Sequence, residues 1–475
     1  MNVEWIAKLP APIRRALYFK LQGAIGSRIE RVWQEFQEWE KFTPTELNVA
    51  VESRLTRLLE TATQSSEYYR DLNLARRPNE SAKDWLRRFP VLSRLQVREN
   101  FPRIVLDPLR DQIKSPDSVS QKRYDWLVVK TGGSTGAPTT VVHDATARDW
   151  GRATRLYAAR QCGFPLGTRY FRLWGSEQDL LNQQLSLQPR LLRNILAEIP
   201  MNAFKAKSAD LKAHWEVMLK HPEVHHLMTY VDAAASLAQF IQERNLPRRK
   251  FKTLMACAGT VTPEFRKILK ETFSTEVFDK YGSRECCDLA CECSFHNGLH
   301  VCVPNVHLEI MDDNGNSCRP GQSGRVLVTM LNNLSFPMIR YEIGDMATWS
   351  ETERCGCGTN FPLIESLQGR QDDMLLTEDG TWQTSGFVRH FVGVSLNRQL
   401  IREWQLEQTG PTHLVFRYIA LQEEGLAENL TRLEESFKLV FGKSATIEIK
   451  AVPEILPSAT GKVRWIINSY RHYRP

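Results

Sequence analysis

Strand-like and helix-like segments alternate between residues 226 and 281, and this alternation restricts the possible fold more than any other feature of the sequence. Short apolar runs such as His226-Leu-Met-Thr-Tyr-Val231 and Phe251-Lys-Thr-Leu-Met-Ala-Cys257 are separated by longer segments with amphipathic helical spacing. A strand–helix–strand unit is connected by a right-handed crossover and produces parallel strands. The sequence therefore predicts an α/β fold with largely parallel sheets, in which ligands lie beyond the carboxyl ends of the strands.

Small and polar residues follow two of these predicted strands. The first set is Ala258, Gly259 and Thr260, and the second begins with Tyr281 and Gly282 and ends with Glu285. The carboxyl ends of parallel strands meet at one edge of a sheet, so both sets are candidates for one ligand site. Taken alone, Tyr281 is equally typical of a packed core, and Glu285 of an exposed surface.

A glycine-rich segment joins two further predicted strands, 125–130 and 139–143. Its residues are Thr131, Gly132, Gly133, Ser134, Thr135, Gly136, Ala137 and Pro138. Gly132, Ser134 and Gly136 match GxSxG, the nucleophile turn of serine hydrolases, but that turn leads directly into a helix. The segment is not a Walker A loop, because no lysine follows Gly136.

Two other interpretations of the glycine-rich segment remain. It is longer than common hairpin loops, which have about 2–5 residues. Glycines allow a backbone to approach a ligand closely, and successive N–H groups with nearby hydroxyls bind phosphate. A phosphate-binding loop is the interpretation that most needs partners elsewhere in the chain.

The pattern of elements divides the 475 residues into regions. Residues 1–75 are predicted to be helical, and residues 76–369 to form a large domain. Within it, short strands joined by turns indicate a β-subdomain over about 300–369. Residues 370–475 read as a small α+β domain. A chain of this length is expected to contain about three domain-sized units.

Charge and hydropathy exclude some classes of protein. The chain has 62 basic and 55 acidic residues and a net charge of +7, and no nucleic-acid-binding motif accompanies its basic residues. No apolar run is long enough to span a bilayer, and the N-terminus has no signal-peptide pattern. We therefore expect a cytoplasmic protein. Basic residues near the N-terminus favour a solvated helix face over an anionic membrane surface.

Ten cysteines are distributed unevenly. Five of them crowd residues 286–302, and Cys355 and Cys357 form a second group. Disulfides are rare in the cytoplasm, so the grouping indicates a metal site more than a set of cross-links. Buried free thiols remain an alternative.

Five motifs occur in an order that resembles the adenylate-forming superfamily, which includes acyl-CoA ligases, adenylation domains and luciferases. They are the glycine-rich segment 131–138, Tyr281-Gly-Ser-Arg-Glu285, Arg340-Tyr-Glu-Ile-Gly-Asp345, Gly369-Arg-Gln-Asp-Asp373 and Gly461-Lys462. The resemblance covers roughly residues 60–475. Within the superfamily, the chain is similar to the phenylacetate-CoA ligase and capsule-biosynthesis branch. The resemblance implies a large adenylation domain followed by a small mobile domain.

The resemblance implies the following roles. The loop Thr131, Gly132, Gly133, Ser134, Thr135 and Gly136 holds the β- and γ-phosphates of ATP, and Glu285 holds Mg²⁺. Tyr281 packs on the adenine, with Gly282 beside it, and Ala258, Gly259 and Thr260 offer backbone groups to the adenine and the acyl pocket. Asp345 accepts hydrogen bonds from the ribose, and Arg370 reaches the ribose or a phosphate. Asp372 is the hinge of the small domain, and Lys462 is the catalytic lysine of adenylation.

The same branch implies a structural zinc site. Its ligands are Cys293, His300, Cys355 and Cys357, three sulfurs and one nitrogen, which is a set that zinc accepts. From spacing alone, His296 competes with His300 and Cys291 competes with Cys293. Four protein ligands leave no open position for a substrate, so this zinc is structural.

The predicted activity is ATP-dependent activation of a small-molecule carboxylic acid to an acyl-adenylate, with release of pyrophosphate, followed by transfer to a thiol, foremost that of coenzyme A. Transfer to an acyl-carrier protein or to an amine uses the same first step and remains open. Two alternatives belong to other classes: a GxSxG serine hydrolase, and a nucleotide-binding homologue that has lost catalysis. Retention of Lys462, Asp345 and Glu285 argues against the second.

Overall fold

The computed structural model describes residues 4–113, 126–130, 139–174, 187–203, 208–259, 261–370, 375–380, 382–383, 388, 392, 400–456 and 465–470. The chain divides into two compact units. The first contains 1–131, 138–343 and 347–366, and the second contains 132–137, 344–346 and 367–475.

Helices dominate the N-terminal part of the first unit, as the sequence predicts. Helix α2 buries Ile29, Val32, Phe36 and Trp39 at helical spacing, and Thr43 and Glu46 form a capping box at the start of α3. The Phe36 ring contacts the rings of Trp150, Tyr157 and Phe361. The helices are α1 (Ala11–Ala24), α2 (Ile29–Trp39), α3 (Pro44–Ser65), α4 (Glu67–Arg70), α5 (Ala82–Arg87), α6 (Arg94–Glu99) and α7 (Phe101–Ile104), with 3₁₀ turns at Glu4–Lys8 and Asp107–Leu109.

An antiparallel hairpin carries the glycine-rich segment between its two strands. Strands β1 (Trp126–Lys130) and β2 (Thr140–Asp144) pair from Trp126 opposite Asp144 to Lys130 opposite Thr140. The segment 131–138 lies outside the described residues. Because a strand and not a helix follows it, the chain lacks the strand–turn–helix arrangement of a hydrolase nucleophile turn.

An eleven-stranded mixed sheet forms the centre of the first unit, in the order β10-β11-β12-β13-β9-β8-β7-β6-β5-β3-β4. Strands β4, β3, β5, β6 and β7 run parallel to their neighbours, and the direction reverses between β7 and β8. The strands are β3 (Tyr170–Trp174), β4 (Glu198–Asn202), β5 (His226–Tyr230), β6 (Thr253–Cys257), β7 (Glu276–Ser283), β8 (Cys287–Glu292), β9 (Leu299–Val301), β10 (Val306–Met311), β11 (Ser323–Met330), β12 (Tyr341–Trp349) and β13 (Leu363–Arg370).

The sequence predicts a β-subdomain over about 300–369. The strands of this region are hydrogen-bonded into the same sheet as the parallel strands. The turn between β7 and β8 reverses the chain, and the later strands add to β8 instead of starting a second layer. Because β8 runs antiparallel to β7, β8 begins at the carboxyl end of β7, and the β8–β9 turn lies towards the amino end of β7.

Helices pack against this sheet. The remaining helices of the first unit are α8 (Ala145–Gln161), α9 (Leu187–Leu196), α10 (Ser208–Lys220), α11 (Val231–Glu243) and α12 (Pro263–Phe273). On one face, Leu227, Leu254 and Val277 of the strands join a core with α10, α11 and α12, and α8 packs against β8. Consecutive residues of β5 and β6 are buried, so both faces of these parallel strands are covered, as their continuous apolar runs require.

One predicted helix ends earlier than the sequence indicates. The leucine-rich stretch 179–199 predicts a helix, of which residues 179–186 lie outside the described residues; α9 (Leu187–Leu196) ends before Ala197, and β4 begins at Glu198. Ala197 between them has a positive φ of 51°, which ends the helix, and pairing with β3 satisfies the backbone groups of the following residues.

The second unit has its own four-stranded sheet, in the order β18-β17-β16-β19. Helix α13 (Leu426–Phe441) buries Leu433 and Phe437 against Leu406 and Phe416 of that sheet. Its strands are β14 (Leu375–Leu376), β15 (Trp382–Gln383), β16 (Ile401–Gly410), β17 (His413–Ala420), β18 (Thr446–Ala451) and β19 (Ile466–Asn468), of which β14 and β15 pair separately. The α/β architecture with a smaller C-terminal α+β unit confirms the predicted fold class.

Among the helices in the described part of the chain, none has both the length and the apolar character needed to cross a bilayer.

Candidate active site and metal cluster

The carboxyl ends of β6 and β7 bring together the two sets of residues that the sequence singles out. Cys257 pairs with Lys280 across these parallel strands, so Ala258 and Gly259 lie beside Tyr281. Ala258 has a φ of 56°, and a Cβ at Gly259 would lie 3.0 Å from the Cβ of Val231. The chain therefore turns sharply at the end of β6 and leaves backbone groups at the sheet edge. Thr260 lies outside the described residues.

A bulge in the β7–β8 hairpin shapes the chain around Gly282. The pairing shifts between Tyr281 and Gly282. A Cβ at Gly282 would lie 2.7 Å from the carbonyl oxygen of Cys287 and 2.9 Å from the Cα of Asp288, distances that only glycine permits. Bulges commonly re-aim a side chain near a functional site, and this one follows directly after the buried Tyr281.

Glu285 is held in place by residues from two other elements. Glu285 is 5% exposed, and the phenol of Tyr341 donates a hydrogen bond to its Oε1 at 3.3 Å. Burial raises the pKa of Tyr341 well above its ordinary value, which keeps the phenol a donor. The carbonyl oxygen of Glu285 accepts from Nε2 of His143 at 2.6 Å, so this nitrogen carries the proton.

The contact with His143 ties the glycine-rich hairpin to the loop after β7. His143 lies in β2, three residues beyond Thr140, where β2 begins. Burial lowers the pKa of His143, so the imidazole is neutral. A neutral ring that donates to a backbone carbonyl is a structural contact, and it fixes the Glu285 loop relative to the stem of the hairpin.

Asp279 is a buried acidic residue close to Tyr281 that the sequence reasoning did not select. It is 7% exposed, it precedes Tyr281 by two residues on β7, and its buried Oδ1 has no hydrogen-bond partner among the described residues. Burial, with the charge of Glu292 adding to it, raises the pKa of Asp279 to about 7. The signal in the sequence was an acidic residue inside the apolar run Val277-Phe-Asp-Lys-Tyr281.

Of the other residues predicted to bind the nucleotide, only Asp345 and Arg370 are described by the structure. Asp345 lies in β12, directly after Gly344, whose φ is 84°. Arg370 is the last residue of β13. Thr131, Gly132, Gly133, Ser134, Thr135, Gly136, Thr260, Asp372 and Lys462 lie outside the described residues, and their roles stay predictions.

Two aromatic rings meet at the ends of β3 and β5. The ring centroids of Trp174 and Tyr230 are 4.3 Å apart, and the ammonium of Lys280 lies 5.7 Å from the centroid of Trp174. Lys280 is buried and donates to Asp288 at 2.6 Å. This edge therefore presents an aromatic surface with one buried ion pair beside it.

Four metal-ligating side chains converge at the β8–β9 turn. Sγ of Cys293, Cys355 and Cys357 and one ring nitrogen of His300 all lie within 4.8 Å of one another. The Sγ atoms of Cys293 and Cys355 are 3.5 Å apart, and Sγ of Cys357 is 3.3 Å from Nε2 of His300. Ligand atoms of a tetrahedral zinc site lie roughly 3.5–3.8 Å apart, so the spacing fits.

The chemistry of the four side chains also fits a cation. Burial lowers the pKa of His300, which keeps the imidazole neutral as a ligand must be, and Nδ1 of His300 lies 3.4 Å from the carbonyl oxygen of Phe361. A carbonyl partner of this kind orients metal-bound histidines. Burial raises the pKa of the Cys293 thiol to about 12, and a bound cation would reverse that shift.

The structure also distinguishes the competing ligands. His296 points its Nδ1 at Oε2 of Glu292, 3.1 Å away, and neither His296 nor Cys291 belongs to the cluster. Register explains this choice. Leu363 of β13 pairs with His300 of β9, which brings β9 beside the loop that carries Cys355 and Cys357.

Comparison with known proteins identifies relatives of this fold. No protein-family model matches the sequence. A segment of 149 residues, 30% of this chain, is 28% identical to phenylacetate-coenzyme A ligase from Thermus thermophilus. The chain spans about a third, 33%, of the length of this curated relative.

Solved structures match almost the whole chain. The structure of 2-hydroxyisobutyryl-CoA ligase in the postadenylation state in complex with 2-HIB-AMP has a TM-score of 0.68 at 18% identity, and the match covers 91% of this chain and 92% of that one. The same ligase with 2-HIB-AMP and CoA in the thioesterification state gives 0.56 at 20% identity, over 91% of both chains. Anthranilate CoA ligase AuaEII in complex with anthranoyl-AMP gives 0.50 at 16% identity, over 72% of this chain and 66% of that one.

The chain has the fold of these CoA ligases, and part of its sequence is similar to phenylacetate-CoA ligase.

Proposed function

We propose that this protein is an AMP-forming acid–thiol ligase that converts a small carboxylic acid first into an acyl-adenylate and then into a thioester, with coenzyme A as the thiol. The observation that carries the proposal is the carboxyl edge of β6 and β7, where Ala258 and Gly259 lie beside Tyr281 and where Tyr341 and His143 fix Glu285. Relatives of this fold were solved with acyl-AMP and CoA.

The first half-reaction joins the acid to AMP. A carboxylate oxygen of the acid attacks the α-phosphorus of ATP, the bond to the bridging oxygen breaks, and pyrophosphate leaves with its electron pair. The acid and ATP must be aligned, negative charge must be neutralised, and water must be excluded. The glycine-rich segment 131–138 supplies N–H groups and hydroxyls for the β- and γ-phosphates, so Ser134 serves as a donor and not as a nucleophile.

Glu285 is the residue that would hold Mg²⁺. Mg²⁺ takes oxygen ligands and bridges phosphate oxygens, which spreads their charge. The Tyr341 phenol fixes one carboxylate oxygen of Glu285, so the side chain is oriented before the nucleotide binds. The hydrogen bond from His143 to the backbone carbonyl of Glu285 fixes the backbone at Glu285 in the same way.

Tyr281 and Asp279 form the adenine end of the site. The Tyr281 ring stacks on the base, and backbone groups of Ala258, Gly259 and Thr260 line its edge. Oδ1 of Asp279 is buried and has no partner within the part of the chain that the structure describes, so it is suited to accept a hydrogen bond from an exocyclic amino group. This acceptor would favour adenine over guanine, which carries a carbonyl at that position.

The remaining roles complete the two steps. Asp345 accepts hydrogen bonds from the ribose hydroxyls, and Arg370 binds the ribose or a phosphate. Lys462 bridges the carboxylate and the α-phosphate during adenylation. The small domain then pivots at Asp372 and removes Lys462, and a thiolate attacks the acyl carbonyl, which expels AMP.

The acid binds beside the rings of Trp174 and Tyr230 at the ends of β3 and β5. The aromatic surface of these two rings favours an acid with an apolar or aromatic group. The acceptor is coenzyme A, and an acyl-carrier protein or an amine would replace it without changing the first step. We place the enzyme in the cytoplasm, where its ten cysteines, all free thiols, remain reduced.

Cys293, His300, Cys355 and Cys357 would hold a structural Zn²⁺. Three thiolates and one neutral imidazole complete a tetrahedral site and leave no position for a substrate. The ion would join the β8–β9 turn to the loop before β13. Metal analysis of the purified protein tests this assignment, and the absence of zinc at one equivalent would refute it.

The activity is tested by a pyrophosphate-release screen against a library of carboxylic acids, with and without coenzyme A. We expect release with one class of acid and a thioester product only when coenzyme A is present. Adenylate formation without a thioester would direct the search to a carrier protein or an amine. No release with any acid would support the non-catalytic alternative, and ATP-independent ester cleavage with an adduct on Ser134 would support the hydrolase.

A further inference from the structure

Glu292 accepts three hydrogen bonds in the interior of the first unit. It is the last residue of β8, and its side chain is 7% exposed. Oε2 accepts from the backbone N–H of Asp279 at 2.7 Å and from Nδ1 of His296 at 3.1 Å. Oε1 accepts from Nη2 of Arg266 at 2.7 Å. A buried carboxylate with three donors is fully satisfied, and it holds each donor in place.

The contact with Asp279 extends the pairing of β7 with β8. Tyr281 pairs with Ala290 and Lys280 with Cys291. At the next position the Glu292 side chain accepts the N–H of Asp279 in place of a backbone carbonyl. The carboxylate therefore fixes the backbone of β7 at Asp279, two residues before Tyr281.

Arg266 links the same carboxylate to helix α12. Its guanidinium donates to Glu292, to the carbonyl oxygen of Val277 on β7, and approaches Nδ1 of His296 at 3.4 Å. The His296 ring also contacts the Phe278 ring in a tilted arrangement, with centroids 4.7 Å apart. One carboxylate thus connects β7, α12 and the β8–β9 turn.

The metal cluster begins at the next residue. Cys293 follows Glu292 directly, and adjacent residues of an extended strand point to opposite sides. Cys293 points into the cluster with Cys355, while Glu292 points to β7. Fixing the Sγ of Cys293 therefore also restricts where the Glu292 carboxylate lies.

We propose that Glu292 is a positioning residue that sets the adenine-binding edge of β7, and that the Cys293, His300, Cys355 and Cys357 cluster fixes Glu292 in turn. The proposal rests on the nucleotide-binding function proposed above. It gives the metal cluster an indirect role in nucleotide affinity, although its four protein ligands leave no position at which the nucleotide itself could bind.

The first test is calorimetric titration of ATP, GTP and pyrophosphate into the full-length wild type and Glu292→Gln. The amide replaces one acceptor oxygen with a donor, so one of the three donors loses its partner. We expect the dissociation constant of ATP to rise about tenfold, as for other residues that orient a site. The preference for ATP over GTP should fall, while pyrophosphate binding and metal content stay at wild-type values.

Glu198→Gln is the matched control. Glu198 is in β4 of the same sheet, its side chain is also 7% exposed, and it accepts from Arg172 at 3.1 Å and from Tyr170 at 2.9 Å. Strands β6, β5 and β3 separate it from β7. We expect its ATP and GTP affinities to match the wild type, even if its unfolding temperature falls as far as that of Glu292→Gln.

The second test concerns the cluster. Cys357→Ser should lower metal content and weaken ATP binding. Because both substitutions act through one carboxylate, the double variant Cys357→Ser with Glu292→Gln should bind ATP as tightly as whichever single variant binds it less tightly. Additive losses would overturn the link to the cluster. If Glu292→Gln does not fold, His296→Phe keeps a ring contact with Phe278 but donates nothing to Glu292, and a rise of about threefold in the ATP dissociation constant is expected.

The outcomes separate this proposal from the proposed function. Wild-type protein that binds no nucleotide would contradict the function itself. Wild-type protein that binds ATP, with unchanged ATP affinity and ATP/GTP preference in Glu292→Gln and His296→Phe, would overturn the positioning role alone.

Discussion

At the scale of single residues, the interior of the first unit is more polar than its apolar runs indicate. His143, His226 and His300 are all buried, and burial lowers the pKa of each. Each has a specific partner: the Glu285 carbonyl, the Thr253 hydroxyl and the Phe361 carbonyl. A buried polar group needs such a partner to be tolerated, and these partners are distant in sequence.

His226 makes the protein sensitive to acid. Burial, followed by the charges of His225 and Lys252, lowers the pKa of His226 to about 4. The folded pKa is below the unfolded value of about 6.5, so its contribution to stability is complete above pH 6.5 and is lost as the pH falls towards 4. We predict that His226→Gln, which can still bond to Thr253, shows a shallower loss between pH 6.5 and 4.5 in urea unfolding. An identical pH profile would contradict this.

Tyr341 orients the carboxylate proposed to bind Mg²⁺. It is fully buried, and a hydrogen bond to a charged group contributes about 1.5–3 kcal/mol. We predict that Tyr341→Phe lowers kcat/KM for ATP by about tenfold in the pyrophosphate-release assay. Tyr69→Phe is the control, because Tyr69 is also buried but donates to the Pro337 carbonyl at 2.9 Å. Equal losses in both variants would indicate a general effect on packing.

At the scale of elements, register decides which residues meet. The β8–β9 turn places Gly298 against β13, and Ile364 of β13 pairs with Leu299. Gly298 has a φ of 111°, and a Cβ there would lie 2.5 Å from the carbonyl oxygen of Ile364. The close approach of the turn to β13 therefore depends on a residue without a side chain.

Gly298→Ala should disturb the metal cluster through this turn. The positive φ and the contact with Ile364 together are expected to cost about 1–3 kcal/mol, and His300, two residues later, should lose its position. We predict a lower free energy of unfolding in urea and lower metal content. Gly315→Ala is the control, since Gly315 also has a positive φ, 81°, but no atom within 4 Å of the added Cβ. Full metal occupancy in Gly298→Ala would count against this account.

At the scale of the whole molecule, the residues assigned to the chemistry fall in two compact units. Tyr281, Glu285 and the metal cluster belong to the first unit, and Lys462 belongs to the second. A reaction with two half-steps suits such a division, because different side chains can serve each step. The division into an N-terminal helical region, a large domain and a small domain stays a prediction at its boundaries near residues 75 and 369.

Lys462→Ala should separate the two half-reactions. The lysine charge is proposed to act only while the carboxylate attacks the α-phosphate, so its removal should lower pyrophosphate release at least 100-fold, on the order of one lost electrostatic contact. Thioester formation from a supplied acyl-adenylate and coenzyme A should stay within about threefold of wild type. Equal loss of both steps would contradict the assigned role. Lys450→Ala, at an exposed position in the same unit, is the control.

Local patterns were sufficient for much of the fold. The runs 226–231 and 251–257 form β5 and β6, the hairpin strands flank the glycine-rich segment, and the C-terminal unit contains the predicted strand–helix–strand. The predicted helix over 179–199 extended too far at its C-terminal end, because nothing local marks the positive φ of Ala197 or the edge pairing of β4. The strands of the predicted β-subdomain are hydrogen-bonded into the main sheet, which the sequence does not show, since strand order is a property of pairing and not of composition.

The sequence by itself determined the alternation that produces the parallel sheet, the order of the motifs and the candidate ligands of the metal site. These depend on periodicity and residue type, which act over a few positions. The resemblance favoured His300 over His296, and the tertiary structure agrees with it; only the tertiary structure joined Tyr341 to Glu285, Glu292 to Asp279 and Cys293 to Cys355. The last two cysteines are separated by 62 positions. These contacts depend on which strands pair and in which register, and the packing of the whole core decides that.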